Sequence, residues 1–583
     1  MPGYASVDKP WLKYYKDEDR RCCIPKCKIA DFLFRETEKF SDHTAINFFG
    51  KNISYAELRD HIDKTALSLS ALGIAPGEIV GVCLPNIPEM IYLFYAINKI
   101  GAVANMLPPF VVPDDLTCLL IEGNSKWFFV SEDGFERYAD SLKSTKLTGI
   151  VTVNTLNSLS EEELRSVPND PSFESVRGTS IDYCTVMSWT QFTEKSGSCS
   201  QPLQCAEYRH NAPAVMCYTS GTTGKSSGVL MSDYAINAYT AGQKCSVLYN
   251  AKPGESIVVS GPPSHYEGIS DMINAYLNVG LCLILAPLKL LYNTYLYSLN
   301  YKPDYFVISP TLLYQLMEAK EFEDLDLSYI KAVILSEEKL DVSLEQQFNN
   351  WLLEHGCSTR ITKAYGMTEV GGAISYTKER ENNVSCAVGI PFVHTVVAAF
   401  TESNGAYQEC EIGEQGELAI LTPQRMLGYF GSASAHTSEK LILHDDGNTW
   451  VHSGDVGHID EDGNVFIDGR IKRIFAKKGF RILPDVISNV IAEHPSVKGN
   501  AIVCAPNPIE AESIIAYIVK KNDVDPAKLL EEIKSLCKEK LGYFEIPDEF
   551  RFIDSLPLTS RGKIDYRSLE ADTAKERPEQ KTL

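Results

Sequence analysis

The sequence predicts an α/β protein, and three observations predict it. Short apolar runs rich in β-branched residues recur from residue 79 onward, each about the length of one strand. Segments with helical periodicity separate them. The runs are continuous rather than alternating, the pattern of strands covered on both faces by helices. With 583 residues the chain is long enough for several domains, each burying its own core. Its 44% hydrophobic and 23% charged residues exclude a disordered or collagen-like chain.

In chain order, residues 79–84 (IVGVCL) read as a buried strand and 88–100 (PEMIYLFYAINKI) as the helix after it. Strands are expected at 127–130, 149–153, 214–218, 256–260, 281–285, 305–308 and 332–335, with helices at 234–247 and 343–354. Residues 169–208, polar and rich in Ser, Cys and Gly, read as a surface excursion. Residues 460–463 (DEDG) read as a hairpin turn. The pattern changes near Gly469 and Arg470, which divides the chain into 1–469 and a smaller unit, 470–583. That unit holds strands near 501–504 and 513–519 and a helix over 526–541, then a charged tail.

The formal net charge is −22, from 55 Lys and Arg against 77 Asp and Glu. This argues against general affinity for nucleic acid and confines any anion binding to a focused local site. The 16 cysteines are mostly isolated; only Cys22, Cys23 and Cys27 cluster, without zinc-ligand spacing. Free thiols in a reducing compartment are therefore expected. The first residues carry no secretory apolar region, and no apolar run approaches the roughly 18 residues of a membrane span. The expected location is cytoplasmic, with peripheral membrane contact left open.

The most informative stretch is 218–229 (YTSGTTGKSSGV), directly after an apolar strand. Thr219, Ser220, Gly221, Thr222, Thr223, Gly224 and Lys225 together form a strand exit dense in N–H and O–H donors, the chemistry needed to hold polyphosphate oxygens. It is not a Walker A loop, because Thr219 stands where that motif needs its first glycine.

The string resembles the signature of the adenylate-forming superfamily: acyl-CoA synthetases, nonribosomal peptide adenylation domains and beetle luciferases. The usual proline-lysine step is replaced here by Ser226 and Ser227, with Lys225 adjacent. Further segments match the family's motifs in the family's order: 262–268 (PPSHYEG), 364–369 (AYGMTE), 416–418 (GEL), 428–430 (GYF), 452–455 (HSGD), 469–473 (GRIKR) and 556–563 (LPLTSRGK). The resemblance implies a large N-terminal domain of stacked α/β sheets with a small distorted β-barrel, and a smaller mobile α+β C-terminal domain.

By the same resemblance His265 lies beside the acyl and pantetheine channels. Tyr365, followed by Gly366, stacks on adenine, Thr368 contacts the α-phosphate and Glu369 holds Mg²⁺. Asp455 and Arg470 reach the ribose, Lys472 sits at the hinge, and Gly479 lines the pantetheine passage. Lys563 is the catalytic lysine, carried to the nucleotide by domain closure.

The implied reaction joins a carboxylic acid to ATP as an acyl-adenylate with loss of pyrophosphate, then to coenzyme A as a thioester with loss of AMP. Crowded phosphate charge then demands a metal and aimed donors, and one glutamate suffices for Mg²⁺ when phosphates supply its remaining ligands. Two alternatives stay open: a stand-alone adenylating enzyme that loads a carrier protein, and a degenerate nucleotide-binding homologue. Residues 336–340 (SEEKL) replace a glycine-rich turn of many relatives, which suggests a shortened acyl tunnel or a polar acyl group.

Overall fold

The computed structural model describes residues 3–109, 111–170, 184–198, 203–219, 227–288, 291–322, 325–336, 340, 342–377, 386–477, 480–507, 511–521, 524–558 and 564–575. The expected strands form two large sheets, both mainly parallel. The first runs in the order Ile390–Pro391, Gly372–Tyr376, Ile361–Met367, Ala332–Leu335, Tyr305–Ile308, Ser256–Val258, Cys282–Leu285, Thr44–Phe48, Lys51–Ser54. The second runs Gly428–Tyr429, Gly228–Ser232, Pro213–Tyr218, Val103–Met106, Ile79–Cys83, Trp127–Ser131, Gly149–Val153, Thr185–Ser188.

Helices lie between these sheets. All of Pro88–Lys99 is buried, which explains why its sequence is apolar on every face. Helix Asp233–Lys244 starts at Ser232, whose hydroxyl accepts from the Ala235 N–H. One core joins Val80 and Val215 of the second sheet to Phe48 and Leu283 of the first. Asp233 is fully buried at this junction. It is satisfied by the Lys28 ammonium at 3.2 Å, the Ile29 N–H at 3.2 Å and the Asn98 amide at 2.6 Å, the condition for tolerating a buried charge.

A third, antiparallel sheet contains Ala406–Glu409, Val396–Ser403, Gly416–Leu421, Thr449–Ile459 and Leu441–Leu443, with Val465–Arg470 paired to Thr449–Ile459. The expected turn at 460–463 joins these last two strands; Gly463, at φ +81°, takes a conformation that suits glycine. Beyond it, strands Val497–Asn507, Ala511–Lys520 and Glu549–Phe552 form a small sheet covered by helices Pro484–Ala492, Pro526–Lys540 and Tyr566–Lys575. Two cores in this region draw only on residues from 475 onward.

One expectation needs correcting. The stretch 169–208 is not only a surface excursion: Thr185–Ser188 is an edge strand parallel to Gly149–Val153, and Trp189–Glu194 is a helix. Ser188 and Gln191 close a capping box, and Trp189 and Phe192, three residues apart, bury against Phe129. The polar flanks hide a single apolar pair that is enough to dock one helical turn.

Candidate functional site

Ligand crevices in parallel sheets open beyond the carboxyl ends of the strands. In the first sheet, Val258, Ile308, Leu335 and Met367 end neighbouring strands. Just past those ends come the 259–265 segment, Ser309, Ser336, and Thr368 with Glu369. Thr368–Val370 is a single tight turn stopped by Gly371 at φ +72°, after which the chain returns as Gly372–Tyr376. Gly366 has a steric reason to be glycine: a Cβ there would lie 1.9 Å from the Gly372 carbonyl oxygen and 2.5 Å from the Ala373 Cα.

Glu369 is 7% exposed. Its Oε1 accepts from the Tyr429 hydroxyl at 2.5 Å, and its backbone carbonyl accepts from the Met426 N–H at 2.8 Å. Tyr429 belongs to the second sheet, where it pairs with Val229 on the strand that follows the donor-rich loop. It therefore ties Glu369 to that hairpin. Burial, then the Glu369 charge, pushes the Tyr429 phenol well above its usual range. No cluster of three or more His, Cys, Asp or Glu side chains able to hold a metal occurs among the described residues. A hard cation here would take the Glu369 carboxylate and complete its shell from substrate oxygens, a donor set that suits Mg²⁺.

Asp455 forms a second centre. Its Oδ2 accepts from the Tyr365 hydroxyl at 2.7 Å, and its Oδ1 lies 2.9 Å from Arg470 Nε. Asp455 and Arg470 are register partners in the Thr449–Ile459 and Val465–Arg470 hairpin, so backbone pairing sets the ion pair. Burial raises the Asp455 pKa, only partly offset by Arg470 and Tyr365. The structure thus brings Tyr365, Asp455 and Arg470, from three dispersed motifs, into direct contact.

Lys440 was not identified from sequence. Its ammonium donates to the carbonyls of His452 and Ser453, both at 2.9 Å, and feels the Glu369, Glu417 and Asp455 carboxylates. Burial lowers its pKa, and those carboxylates oppose the shift. The Leu441–Leu443 strand pairs with Thr449–Ile459, bringing residue 440 back beside 452 and 453. Nothing in the local sequence TSEK signals this; only the hairpin creates it. Glu417 supports the same corner, accepting from the Gly454 N–H at 3.0 Å and meeting His452 Nδ1 at 2.9 Å.

His265 is half-buried ahead of the π-helix Glu267–Ala275. The adjacent Tyr266 donates to the carbonyls of Val229 at 2.8 Å and Val215 at 3.2 Å, locking this segment onto the second sheet. At Gly268 a Cβ would meet the Pro262 carbonyl oxygen at 2.2 Å, so the close turn requires glycine. Ser336 donates to Glu267. Thr219 and Ser227 close the base of the donor-rich loop: the Thr219 N–H donates to the Ser227 carbonyl at 3.0 Å, and the Ser227 N–H to Thr219 Oγ1 at 3.1 Å. Ser220, Gly221, Thr222, Thr223, Gly224, Lys225, Glu337, Gly479 and Lys563 lie outside the described residues.

The AMP-binding enzyme family model matches residues 33–430, and the AMP-binding enzyme C-terminal domain model matches residues 487–563. A long-chain-fatty-acid–CoA ligase of Bacillus subtilis (strain 168) is 25% identical over 571 residues, covering 96% of this chain and 97% of its own. The 4-coumarate–CoA ligase 1 of Arabidopsis thaliana is 23% identical over 558 residues, covering 94% and 92%. Among solved structures, ATP-bound MatB from Rhodopseudomonas palustris superposes with a TM-score of 0.76 at 20% identity, covering 94% of this chain and 99% of that one. The anthranilate CoA ligase AuaEII in complex with anthranoyl-AMP gives 0.76 at 19% identity, covering 95% and 98%. These likenesses match the fold described above.

Proposed function

Because the chain belongs to the AMP-binding enzyme family, we propose that it is an ATP-dependent, AMP-forming acid:CoA ligase. The observation that carries this reading is the joined pair of centres: Tyr365, Asp455 and Arg470 on one side, Glu369 with Tyr429 and Lys440 on the other. Full-length CoA ligases among the relatives support it.

In this reading Asp455 accepts from the ribose hydroxyls while Arg470 and Tyr365 fix its two oxygens. Thr368 donates to the α-phosphate. Glu369 would hold a Mg²⁺ ion, which when bound would supply positive charge against the triphosphate. Tyr429 orients the Glu369 carboxylate, leaving the second oxygen for the ion. Lys440 directs two N–H groups to backbone carbonyls and presents its remaining positive charge to the phosphates, a role that compensates for Ser226 and Ser227 in the donor-rich loop. Thr219, Ser220, Gly221, Thr222, Thr223, Gly224 and Lys225 hold the outer phosphates. Lys563 closes over the acyl-phosphate bond in the first half-reaction, and Gly479 lines the thiol's path in the second. The division at 469 and 470 marks where the moving unit begins, and Arg470, its first residue, stays on the fixed site through its hairpin pairing with Asp455. Glu267, held by Ser336, makes one wall of the acid pocket polar and favours an acid whose acyl group carries hydrogen-bond donors.

Incubation with ATP, Mg²⁺, CoA and a panel of carboxylic acids tests the reading. The expected products are AMP, pyrophosphate and an acyl-CoA thioester in equal amounts. Acyl-adenylate that forms but never passes to CoA would point to a carrier protein or another acceptor. ATP binding without turnover of any acid would indicate a degenerate homologue.

A further inference from the structure

The turn that carries Asp455 is held from behind by two histidines that the proposed reaction does not use. We infer that His444, acting through His452 and Glu417, is a positioning residue for that turn, and that the single proton the two facing imidazoles can share makes its support fail in acid. This role rests on the nucleotide reading proposed above.

Strand pairing makes the support necessary. Glu417 pairs with Val456 and Ala419 with His452, so Leu418 alone faces Ser453, Gly454 and Asp455. Such a bulge interrupts the ladder and re-aims a side chain, here that of Asp455. Gly454 takes φ +77° within it. Side chains replace the missing ladder bonds. Glu417 accepts from the Gly454 N–H at 3.0 Å, while Ser453 Oγ accepts from the Asp455 N–H at 2.9 Å and donates to the Leu418 carbonyl at 2.6 Å. The other Glu417 oxygen meets His452 Nδ1 at 2.9 Å. His452 Nε2 lies in turn 2.9 Å from His444 Nε2, with both rings buried.

His444 anchors this chain of contacts. Its ring lies parallel to Tyr407 with centroids 5.0 Å apart, and meets Phe400 edge-on at 4.7 Å. Its backbone N–H donates to the Asn448 carbonyl at 3.0 Å, closing the turn between Leu441–Leu443 and Thr449–Ile459.

Hydrogen-bond chemistry limits the charge the pair can carry. Despite burial, the His452 and Gly454 hydrogen bonds hold the Glu417 carboxyl below its usual range. An ionised Glu417 only accepts, so His452 Nδ1 is the donor. Two nitrogens 2.9 Å apart hold one hydrogen between them. The neutral pair can therefore gain one proton, whose charge passes to His452 against Glu417. A second proton would set two N–H groups and two like charges face to face, and the rings must part. Burial lowers the His444 pKa and His452 adds to the shift, against Asp446, Asp445 and Glu417. The remaining charges at the pair are Glu402, which with Glu417 acts on Tyr407, and Lys440, which holds the His452 carbonyl. His444 thus takes its extra proton less readily in the folded protein than in the unfolded chain. Its support is present in full above about pH 6.5 and declines as pH falls below that.

The test measures ATP binding by calorimetry with Mg²⁺ present, and melting temperature without ligand, each at about pH 8 and about pH 5.5. It compares wild type with His444→Gln and His444→Phe. Glutamine keeps a donor for His452 Nε2 and takes no proton, whereas phenylalanine keeps the stacking and offers no donor. Between the two pH values the wild-type Kd for ATP is expected to rise about tenfold more than that of His444→Gln. The wild-type melting temperature falls further over the same interval than that of the glutamine variant. At about pH 8 His444→Phe binds ATP about tenfold more weakly than wild type, and His444→Gln recovers most of that loss. A ring that only packs would reverse this order, with phenylalanine the better replacement, and would overturn the proposal. Equal acid losses of affinity in wild type and His444→Gln would overturn it as well. If none of the three proteins binds ATP at about pH 8, the nucleotide reading fails and the positioning role with it, while the melting comparison still shows whether the histidine pair itself fails in acid.

Discussion

Asp455 holds two partners on its two oxygens, and its burial makes both necessary. Asp455→Asn keeps the shape and removes the charge. With charged hydrogen bonds contributing about 1.5–3 kcal/mol, the KM for ATP is expected to rise about 10–100-fold, measured by steady-state kinetics. Lys440→Met removes a charge and two hydrogen bonds to the His452 and Ser453 carbonyls, so kcat for adenylation and the melting temperature are both expected to fall, checked by steady-state kinetics and thermal melting. Asp271 gives a pH signature apart from the chemistry. It is buried with Gln243 at 2.6 Å and Tyr376 at 3.2 Å, and burial pushes it up to about 7. Its folded state favours the proton, so its contribution to stability is complete below about pH 4 and declines as pH rises towards about 7. Asp271→Asn is expected to flatten that decline and to stabilise the protein at about pH 8 by at most about 4 kcal/mol, read as a raised melting temperature. A melting temperature at that pH unchanged by the substitution would contradict this. Asp455 and Glu369 were legible in the sequence because each stands inside a dense motif. Lys440 was not, because its importance comes from a hairpin and not from its neighbours in the chain.

At the scale of elements, the return from Ile361–Met367 into Gly372–Tyr376 sets the position of Glu369, and Gly366 lets the two strands approach. Gly366→Ala drives a methyl into backbone, so a loss of about 1–3 kcal/mol or more is expected together with weaker nucleotide binding. Thermal melting and ATP titration check it; a wild-type melting temperature would show that the hairpin can open without cost. The parallel strands were legible because strands buried on both faces are apolar throughout, and observed bounds such as Gly149–Val153 and Tyr305–Ile308 coincide with those expected. The Trp189–Glu194 helix escaped because one capping box and two aromatics are too short a pattern to stand out in a polar stretch. Tyr429 lay in a recognised motif, yet its bond to Glu369 depends on strand pairing across the second sheet, which periodicity does not encode.

At the scale of the molecule, a net charge of −22 surrounds a site whose expected ligands are all anions. Local cations resolve the conflict: Arg470 and Lys440 sit against buried carboxylates, and Mg²⁺ and Lys563 complete the set in the proposed reaction. The separate cores from residue 475 onward give the C-terminal region the integrity needed to move as a unit. Lys563→Ala is therefore expected to abolish adenylation while sparing thioester formation from preformed acyl-adenylate; equal loss of both half-reactions would contradict that division. In the proposed reaction this site activates a carboxylate through ATP. Carboxylate-dependent ATP–pyrophosphate exchange, measured without CoA across an acid panel, tests it most directly. The expected exchange requires a cognate acid and Mg²⁺ and disappears in Glu369→Gln. Absence of exchange with every acid, in protein that still binds ATP, would contradict it.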